Sequence, residues 1–308
     1  MISPTLKQLR YFDALARFQH FGRAAEASSI SQPALSLQIK ELEQMVQTPL
    51  VERSARKVRL TAMGEDFVRK AREVLRAMDE LEDLMRASKG PLAGRFRLGV
   101  IPTVAPYLLP ATINTLSERF PEIDLEIRES VTRSLVDDLL ESRLDAAIVA
   151  LPISEPSLRE FSLFQENFVL VRPTSDANKP IPGPDTLRTM RLLLLEEGHC
   201  FRDQALSFCE ITKTQPRQMM EGSSLSTLVQ MVSAGMGLTL IPEIAVFLET
   251  RAADVSVARF PTPSPSRTIG MIWRKSNPLA DQLMQVGAIV RGVGQTARQH
   301  DPMQAISV

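Results

Sequence analysis

At Lys89-Gly90-Pro91-Leu92-Ala93-Gly94 the periodicity of the chain changes, and this break constrains its architecture more than any other feature. Before it, apolar residues recur at helical spacing; after it, short apolar runs alternate with helical segments. A proline between two glycines ends a helix and reads as a hinge. The 308 residues supply a small helical domain and a larger α/β domain, each with enough sequence to bury a core.

In the helical part, Leu6, Leu9, Phe12, Leu15 and Ala16 mark a first helix, and Gly22 to Ala27 a second, shorter one. After the turn Ser28-Ser29-Ile30, Ser31 is a good N-cap and Pro33 sits in the first turn, where proline is tolerated. Ala34, Leu35, Leu37, Ile39, Leu42 and Met45 then carry a helix to about Val46. Two helices joined by a tight turn make a helix-turn-helix. Its second helix would lie in the major groove of double-stranded DNA, presenting Ser31, Gln32, Pro33, Ser36 and Gln38, with Lys40 adding positive charge. Gln can contact adenine bidentately, whereas serine hydroxyls reach bases or phosphates. The basic turn with Arg53, Arg56 and Lys57, between Leu50-Val51 and Val58-Leu60, fits the wing of a winged helix and supplies further phosphate partners. The whole chain is formally neutral, so only local charge can signal a nucleic-acid partner. Residues 1–60 hold nine basic and five acidic side chains and are locally positive. The plain alternative is a helical bundle with a solvated basic face.

Thr61 caps a long helix reaching about Ser88, with Phe67, Ala71, Val74, Leu75, Met78, Leu81, Leu84 and Met85 on one stripe. The stripe is narrow and near heptad spacing, so it should pack on a copy of itself. Beyond the hinge, strands are expected at 95–100, 124–129 and 145–150, with helices at 104–120 and 135–141 between them. A second unit begins near Phe168-Val169-Leu170-Val171, includes a helix over 224–234 and the strand Leu238 to Pro242, and the chain returns in Thr268 to Arg274. Alternating strands and helices argue for a parallel, doubly wound sheet. Two crossings make two Rossmann-like subdomains hinged as in periplasmic binding proteins, with a ligand cleft between them. The expected domains are a winged helix-turn-helix over 1–60, a linker helix over 61–89 and a regulatory domain over 90–308. Its subdomain I covers about 93–166 and 267–298, and subdomain II about 167–266. The polar tail from Gln299 to Val308 is expected to be disordered.

The only two cysteines, Cys200 and Cys209, follow the apolar run Leu192 to Leu195 and flank a short helix expected from Asp203. A mostly helical segment between them holds their Cα atoms roughly 10–14 Å apart, and a disulfide tolerates at most about 7 Å. The thiols therefore never pair, or pair only after the helix unwinds as a redox switch. Two inert buried cysteines are the simpler alternative. Cys200 stands near a helix start with His199 before it and Arg202 two residues on, all able to favour a thiolate; Cys209 is placed to resolve it. No apolar run approaches the ~20 residues needed to span a bilayer, and no basic-then-apolar secretory leader is present, so the expected location is cytoplasmic, away from membranes. Three scattered histidines and no CxxC argue against a metal, and no cofactor is expected.

Leu9-Arg10-Tyr11-Phe12, Gly22-Arg23-Ala24-Ala25, Ser31 to Glu43 and Leu60-Thr61-Ala62-Met63-Gly64 resemble the DNA-binding domain of LysR-type transcriptional regulators, continuously over about sixty residues. The resemblance implies a winged helix, a dimerising linker helix, a tetramer built from dimers, and a non-enzymatic protein that works with RNA polymerase. Within that family, Glu197 to Gln204 with Phe208-Cys209, and Ile101 to Pro110, resemble the peroxide-sensing OxyR regulators. That resemblance implies an activator of antioxidant genes such as those for catalase and peroxidase, in which hydrogen peroxide oxidises Cys200 to a sulfenic acid that Cys209 captures as a disulfide. A glutaredoxin or thioredoxin system would reset it. The family pattern further points to Thr103, Thr132, Asp203 and Arg267, beside His199 and Arg202, as groups that hold or activate the peroxide. Two other functions compete. A metabolite-responsive LysR-type regulator would treat the cysteines as bystanders; a thiol peroxidase would use Cys200 catalytically, yet it has no need of a DNA-binding module.

Overall fold

Thr5 opens α1 (Leu6–Phe18) with a capping box, its side chain accepting from the Gln8 amide while Gln8 Oε1 accepts from the Thr5 amide. The computed structural model describes residues 3–53, 58–87, 92–208 and 220–299. Gln19 closes α1 in the left-handed region, and His20 caps α2 (Phe21–Ala27) by accepting from the Arg23 amide through Nδ1. Ser31 caps α3 (Gln32–Val46), with Pro33 in the first turn as the sequence predicts. Phe12, Leu15, Ala24, Leu35, Ile39 and Leu42 fill the core between these three helices. The Glu43 carboxylate of α3 accepts from the amides of Leu50 and Val51 and so fixes β1 (Val51–Arg53), which pairs antiparallel with β2 (Val58–Leu60). Residues 54–57 between them, with Arg56 and Lys57, lie outside the described residues.

Thr61 starts α4 (Ala62–Ala87): its hydroxyl accepts from the Gly64 amide and donates to the Pro49 carbonyl. A Cβ at Gly64 would lie 2.1 Å from the Leu50 carbonyl oxygen, so only glycine lets α4 pass that close to the wing. Phe67, Val68 and Ala71 of α4 pack inward, while Val74, Leu81 and Met85 remain exposed. The chain divides into two compact units between Met85 and Arg86, next to the expected hinge, of which residues 88–91 lie outside the described residues.

The second unit runs β3 (Gly94–Val100), α5 (Ala105–Arg119), β4 (Ile123–Glu129), α6 (Thr132–Leu140), β5 (Ala146–Leu151), β6 (Leu158–Pro173), α7 (Pro184–Leu187) and β7 (Leu192–Leu195). It continues with α8 (Cys200–Phe208), β8 (Met220–Gly222), α9 (Leu225–Ser233), β9 (Leu238–Pro242), α10 (Val246–Thr250), β10 (Val255–Arg259), β11 (Ser266–Arg274) and α11 (Ala280–Gln299). The expected disordered tail beyond Gln299 lies outside the described residues.

The strand order β4-β3-β5-β11-β6-β9-β7-β8, with β10 also on β6, corrects the expectation of a wholly parallel sheet. β3 is parallel to β4 and β5, and β7 to β8 and β9, but β11 and β6 run antiparallel to their neighbours. A second correction concerns β6. The charged and amide side chains Arg159, Glu160, Gln165, Glu166 and Asn167 mask its pattern, so the sequence shows only Phe168 to Val171, whereas one strand of 16 residues carries the chain across. Its first half pairs with β11, and its second half with β9 and β10.

Two cores result. Leu98, Val100, Ile148, Met271, Trp273 and Leu283 belong to the first lobe; Leu170, Leu193, Phe201, Val229 and Ile241 belong to the second. Tyr107 of α5 packs against both. Its hydroxyl donates to Glu249 of α10 at 2.6 Å, and the same carboxylate accepts from Ser226 of α9. Burial, and the hydrogen bond to a carboxylate, push the Tyr107 phenol well above its usual value, so it acts as a permanent donor between the lobes.

Candidate functional site

The fully buried β7 ends at Leu195, and the turn that follows passes through Gly198 at φ +97°, a backbone conformation open to glycine and strained for side chains with a Cβ. That reversal lets helix begin at Cys200, three residues earlier than the start expected at Asp203. Asp203 is instead an exposed acid in the first turn, where negative charge complements the helix N-terminus. The helix ends at Phe208, and Cys209 lies outside the described residues.

Phe201, Ala205 and Leu206 bury their side chains in the second core, and half-buried Phe208 meets Phe260 edge-on with centroids 5.1 Å apart. Cys200, a free and half-buried thiol, packs instead against the first core. The reactive candidate therefore sits where the lobes meet. The turn before it is close to α6, since a Cβ on Gly198 would lie 3.9 Å from Val131 Cγ1.

Thr103 is buried and does not cap α5; that position belongs to Val104. Its hydroxyl accepts from Arg267 Nη1 at 2.8 Å, and its carbonyl accepts from Nη2. Arg267 lies within β11 and is buried. Its guanidinium also donates from Nε to Glu166 Oε1 at 2.8 Å and stacks 5.2 Å from the Phe201 ring centroid. Glu166 and Arg267 are register partners on β6 and β11, and both side chains are fully buried. Because Thr103 Oγ1 uses a lone pair for Arg267, its own hydroxyl proton is left to donate. Thr132 begins α6, and its buried hydroxyl has no hydrogen-bond partner among the described residues. Neither has Gln204 Oε1, one helical turn beyond Cys200 and hence on the same side of α8.

Arg202 is not turned toward the thiol chemistry as its proximity in sequence implied. Its Nη1 donates to the Leu195 carbonyl at 2.7 Å and pairs with Glu221 at 2.8 Å, tying α8 to β7 and β8. Burial holds the His199 imidazole below its ordinary value, against the attraction of Glu196 and Glu129. A neutral His199 at neutral pH offers no cation to Cys200, whereas the amides of the first turn of α8 present the positive end of the helix at that residue. The depressed value also has a stability consequence. The unfolded chain takes up the proton first, so stability declines as pH falls through about 6.5 and stops declining once the folded imidazole protonates. His199→Asn should flatten the thermal midpoint between about pH 7 and pH 5; a slope identical to wild type would place the titration elsewhere.

Glu166 and Gln204 escaped the sequence reading. Glu166 becomes visible only once β6 and β11 are put in register, and Gln204 once the helix is known to begin at Cys200. On the other unit, the cap Ser31 and Gln32, Pro33 and Lys40 of α3 are exposed, while Ser36 and Gln38 are half-buried. Gln38 Nε2 donates to Glu41. Arg53 ends β1.

Residues 6–65 match the model of the bacterial regulatory helix-turn-helix proteins of the lysR family, and residues 89–292 match the LysR substrate binding domain. The chain belongs to the LysR family of transcriptional regulators. A probable hydrogen peroxide-inducible genes activator of Streptomyces viridosporus is 41% identical over 293 residues, 94% of each chain. The regulator EstR of Acinetobacter baylyi is 37% identical over 295 residues, 95% of this chain and 98% of its own. A cysteine-to-serine variant of Corynebacterium glutamicum OxyR, H2O2-bound, superposes with TM-score 0.66 and 33% identity over 100% of this chain and 98% of its own. Within the LysR family the resemblance is thus to OxyR, as the spaced thiols implied, and the family is one of regulators rather than enzymes. Among the described residues, no helix is long and apolar enough to cross a membrane.

Proposed function

We propose that this LysR-family regulator senses hydrogen peroxide through Cys200, and that capture of the oxidised sulfur by Cys209 changes its hold on promoter DNA. The observation that carries the reading is a free, half-buried thiol on the first residue of α8, at the boundary of two lobes. The thiolate attacks one peroxide oxygen, the O–O bond breaks, and the departing hydroxide takes a proton to become water, leaving a sulfenic acid. Thr103 is suited to donate toward the leaving oxygen, while Thr132 Oγ1 and Gln204 Oε1, buried without partners among the described residues, are suited to hold the peroxide. Cys209 then attacks the sulfenic sulfur, expels hydroxide and forms the disulfide. A thioredoxin or glutaredoxin system returns the two electrons.

The second step requires refolding. From Cys200 to Phe208 an intact α8 spans about 12 Å. Cys209 is bonded to Phe208, and consecutive Cα atoms lie about 3.8 Å apart, so with α8 intact the two cysteine Cα atoms stay beyond the ~7 Å a disulfide bridges. Closing a loop of about ten residues constrains the unfolded chain by roughly 3 kcal/mol. That is comparable with withdrawing Leu206 and Phe208 from the second core, at about 1.5–3 kcal/mol each when fully buried. Melting α8 would disturb the lobe boundary and so the spacing of the DNA-binding units in an assembly held by the exposed Val74, Leu81 and Met85 stripe of α4. The output is RNA polymerase recruitment at antioxidant genes, including catalase and peroxidase genes. Reduced and peroxide-treated protein should protect different spacings in a promoter footprint; identical protection would defeat the switch. A second reading, a regulator answering to a small metabolite, is favoured by the match of residues 89–292 to the LysR substrate binding domain. It requires Cys200→Ser to leave regulation intact.

A further inference from the structure

The junction between α1 and α2 gathers positive charge in an unusual way. Arg17 in the last turn of α1 and Arg23 in the first turn of α2 each place their guanidinium carbon 5.4 Å from the centroid of one ring, that of Phe18. Both arginines are exposed, and Phe18 is half-buried. Arg10, Arg69 and Arg72 of this unit pair with carboxylates, those of Asp79, Asp66 and Asp13. Arg17 and Arg23 have no carboxylate partner among the described residues. Two like charges are thus braced against one aromatic ring, and their guanidinium donors are left for another acceptor.

The surroundings identify that acceptor. A Cβ on Gly22 would lie 3.9 Å from Gln32 Oε1, so this corner abuts the first residue of α3, the helix that enters the groove. On its other side the Gln19 carbonyl accepts from the Val58 amide, so the wing strand β2 rests on the same corner. The turn itself is set by Gln19 in the left-handed region and by His20 capping α2. The corner is therefore bracketed by the two parts of a winged helix that meet DNA, which puts the paired guanidiniums at the height of the sugar-phosphate backbone.

We infer that Arg17 and Arg23, braced by Phe18, form a phosphate-binding clamp for the DNA backbone alongside the groove that α3 enters. Neither base reading nor the peroxide chemistry depends on it. Phe18 acts as a positioning residue, since stacking pre-sets both guanidiniums and reduces the freedom lost when a phosphate binds.

The test is the salt dependence of binding by the full chain, kept reduced, to a mixed-sequence duplex of about 30 base pairs followed by fluorescence anisotropy. Arg17→Gln and Arg23→Gln should each reduce the slope of log K against log salt by about 0.9 per bound protomer, and the double variant by about twice that. At about 0.1 M salt each loss corresponds to roughly 8-fold weaker binding per bound protomer. Arg23→Lys keeps the charge and should retain the wild-type slope, which also separates charge loss from misfolding. Unchanged slopes in both glutamine variants would overturn the clamp. So would weaker binding at an unchanged slope, because bracing of the α1–α2 corner alone predicts that pattern.

Discussion

Replacing Glu166 by alanine should destabilise the regulatory unit by about 3–5 kcal/mol, because it leaves the Arg267 guanidinium buried without its counter-charge. Both side chains are inaccessible to solvent, and the pair lies where β6 passes from one lobe to the other. Water cannot enter cheaply to replace the carboxylate. The remaining contacts of Arg267, to Thr103 and the Phe201 ring, are to neutral groups. The loss propagates toward the thiol, since Thr103 Oγ1 is oriented by Arg267 and Phe201 is the neighbour of Cys200. Trp273, the single tryptophan, is buried on the same strand as Arg267 and reports unfolding of that lobe by its fluorescence in a urea titration. The double variant Glu166→Leu with Arg267→Met removes both charges together. It should recover most of the lost stability while remaining slow toward peroxide, because the hydroxyl of Thr103 has lost its donor. A cost for Glu166→Ala below about 1 kcal/mol would mean that solvent reaches the pair and that it does not fasten the lobes.

Why Glu166 was invisible in the sequence while its partner was noticed is a question of range. Local chemistry was legible: Ser31 and Pro33 announce α3, Thr61 announces α4, and the apolar run Leu192 to Leu195 announces β7, because caps and periodicity act over a few residues. The residue pattern puts the start of α8 at Asp203, whereas the reversal at Gly198 releases the helix at Cys200, and a positive φ is not written in the neighbouring residues. The sequence pattern shows only a quarter of the crossing strand β6, Phe168 to Val171. Its polar half is held in the sheet by pairing with β11, a contact between segments about a hundred residues apart, with Glu166 buried while Arg159, Glu160 and Gln165 stay exposed. Resemblance to the OxyR regulators pointed to Thr103 and Arg267 separately, and the fold brings them to 2.8 Å. The same fold takes Arg202 away from the thiol, to Leu195 and Glu221. Proximity in sequence was a poor guide there because successive helical residues point about 100° apart.

Peroxide treatment of the wild-type chain should yield a Cys200–Cys209 disulfide by mass spectrometry, Cys209→Ser should stop at the sulfenic acid and proceed to over-oxidation, and Cys200→Ser should give neither. The responsive fraction falls from nearly all molecules to none in either variant, the largest effect expected of any substitution. The helix between the thiols makes the two steps separable. Attack on peroxide needs only the first turn of α8, anchored by Phe201 between Phe168 and Arg267, with ring centroids 4.8 Å apart and the guanidinium 5.2 Å away. Closure needs the last turns to melt, where Leu206 and Phe208 are withdrawn from the second core. Ser207 is exposed on those turns. Ser207→Ala improves helix propensity by about 0.5 kcal/mol without touching the core, and should slow disulfide closure roughly two-fold while leaving sulfenic acid formation unchanged. Phe208→Ala, which removes the contact with Phe260, should act in the opposite sense and speed closure. If both variants close at the wild-type rate, α8 does not unwind on the path to the bond, and a refolding switch at these two sulfurs is ruled out.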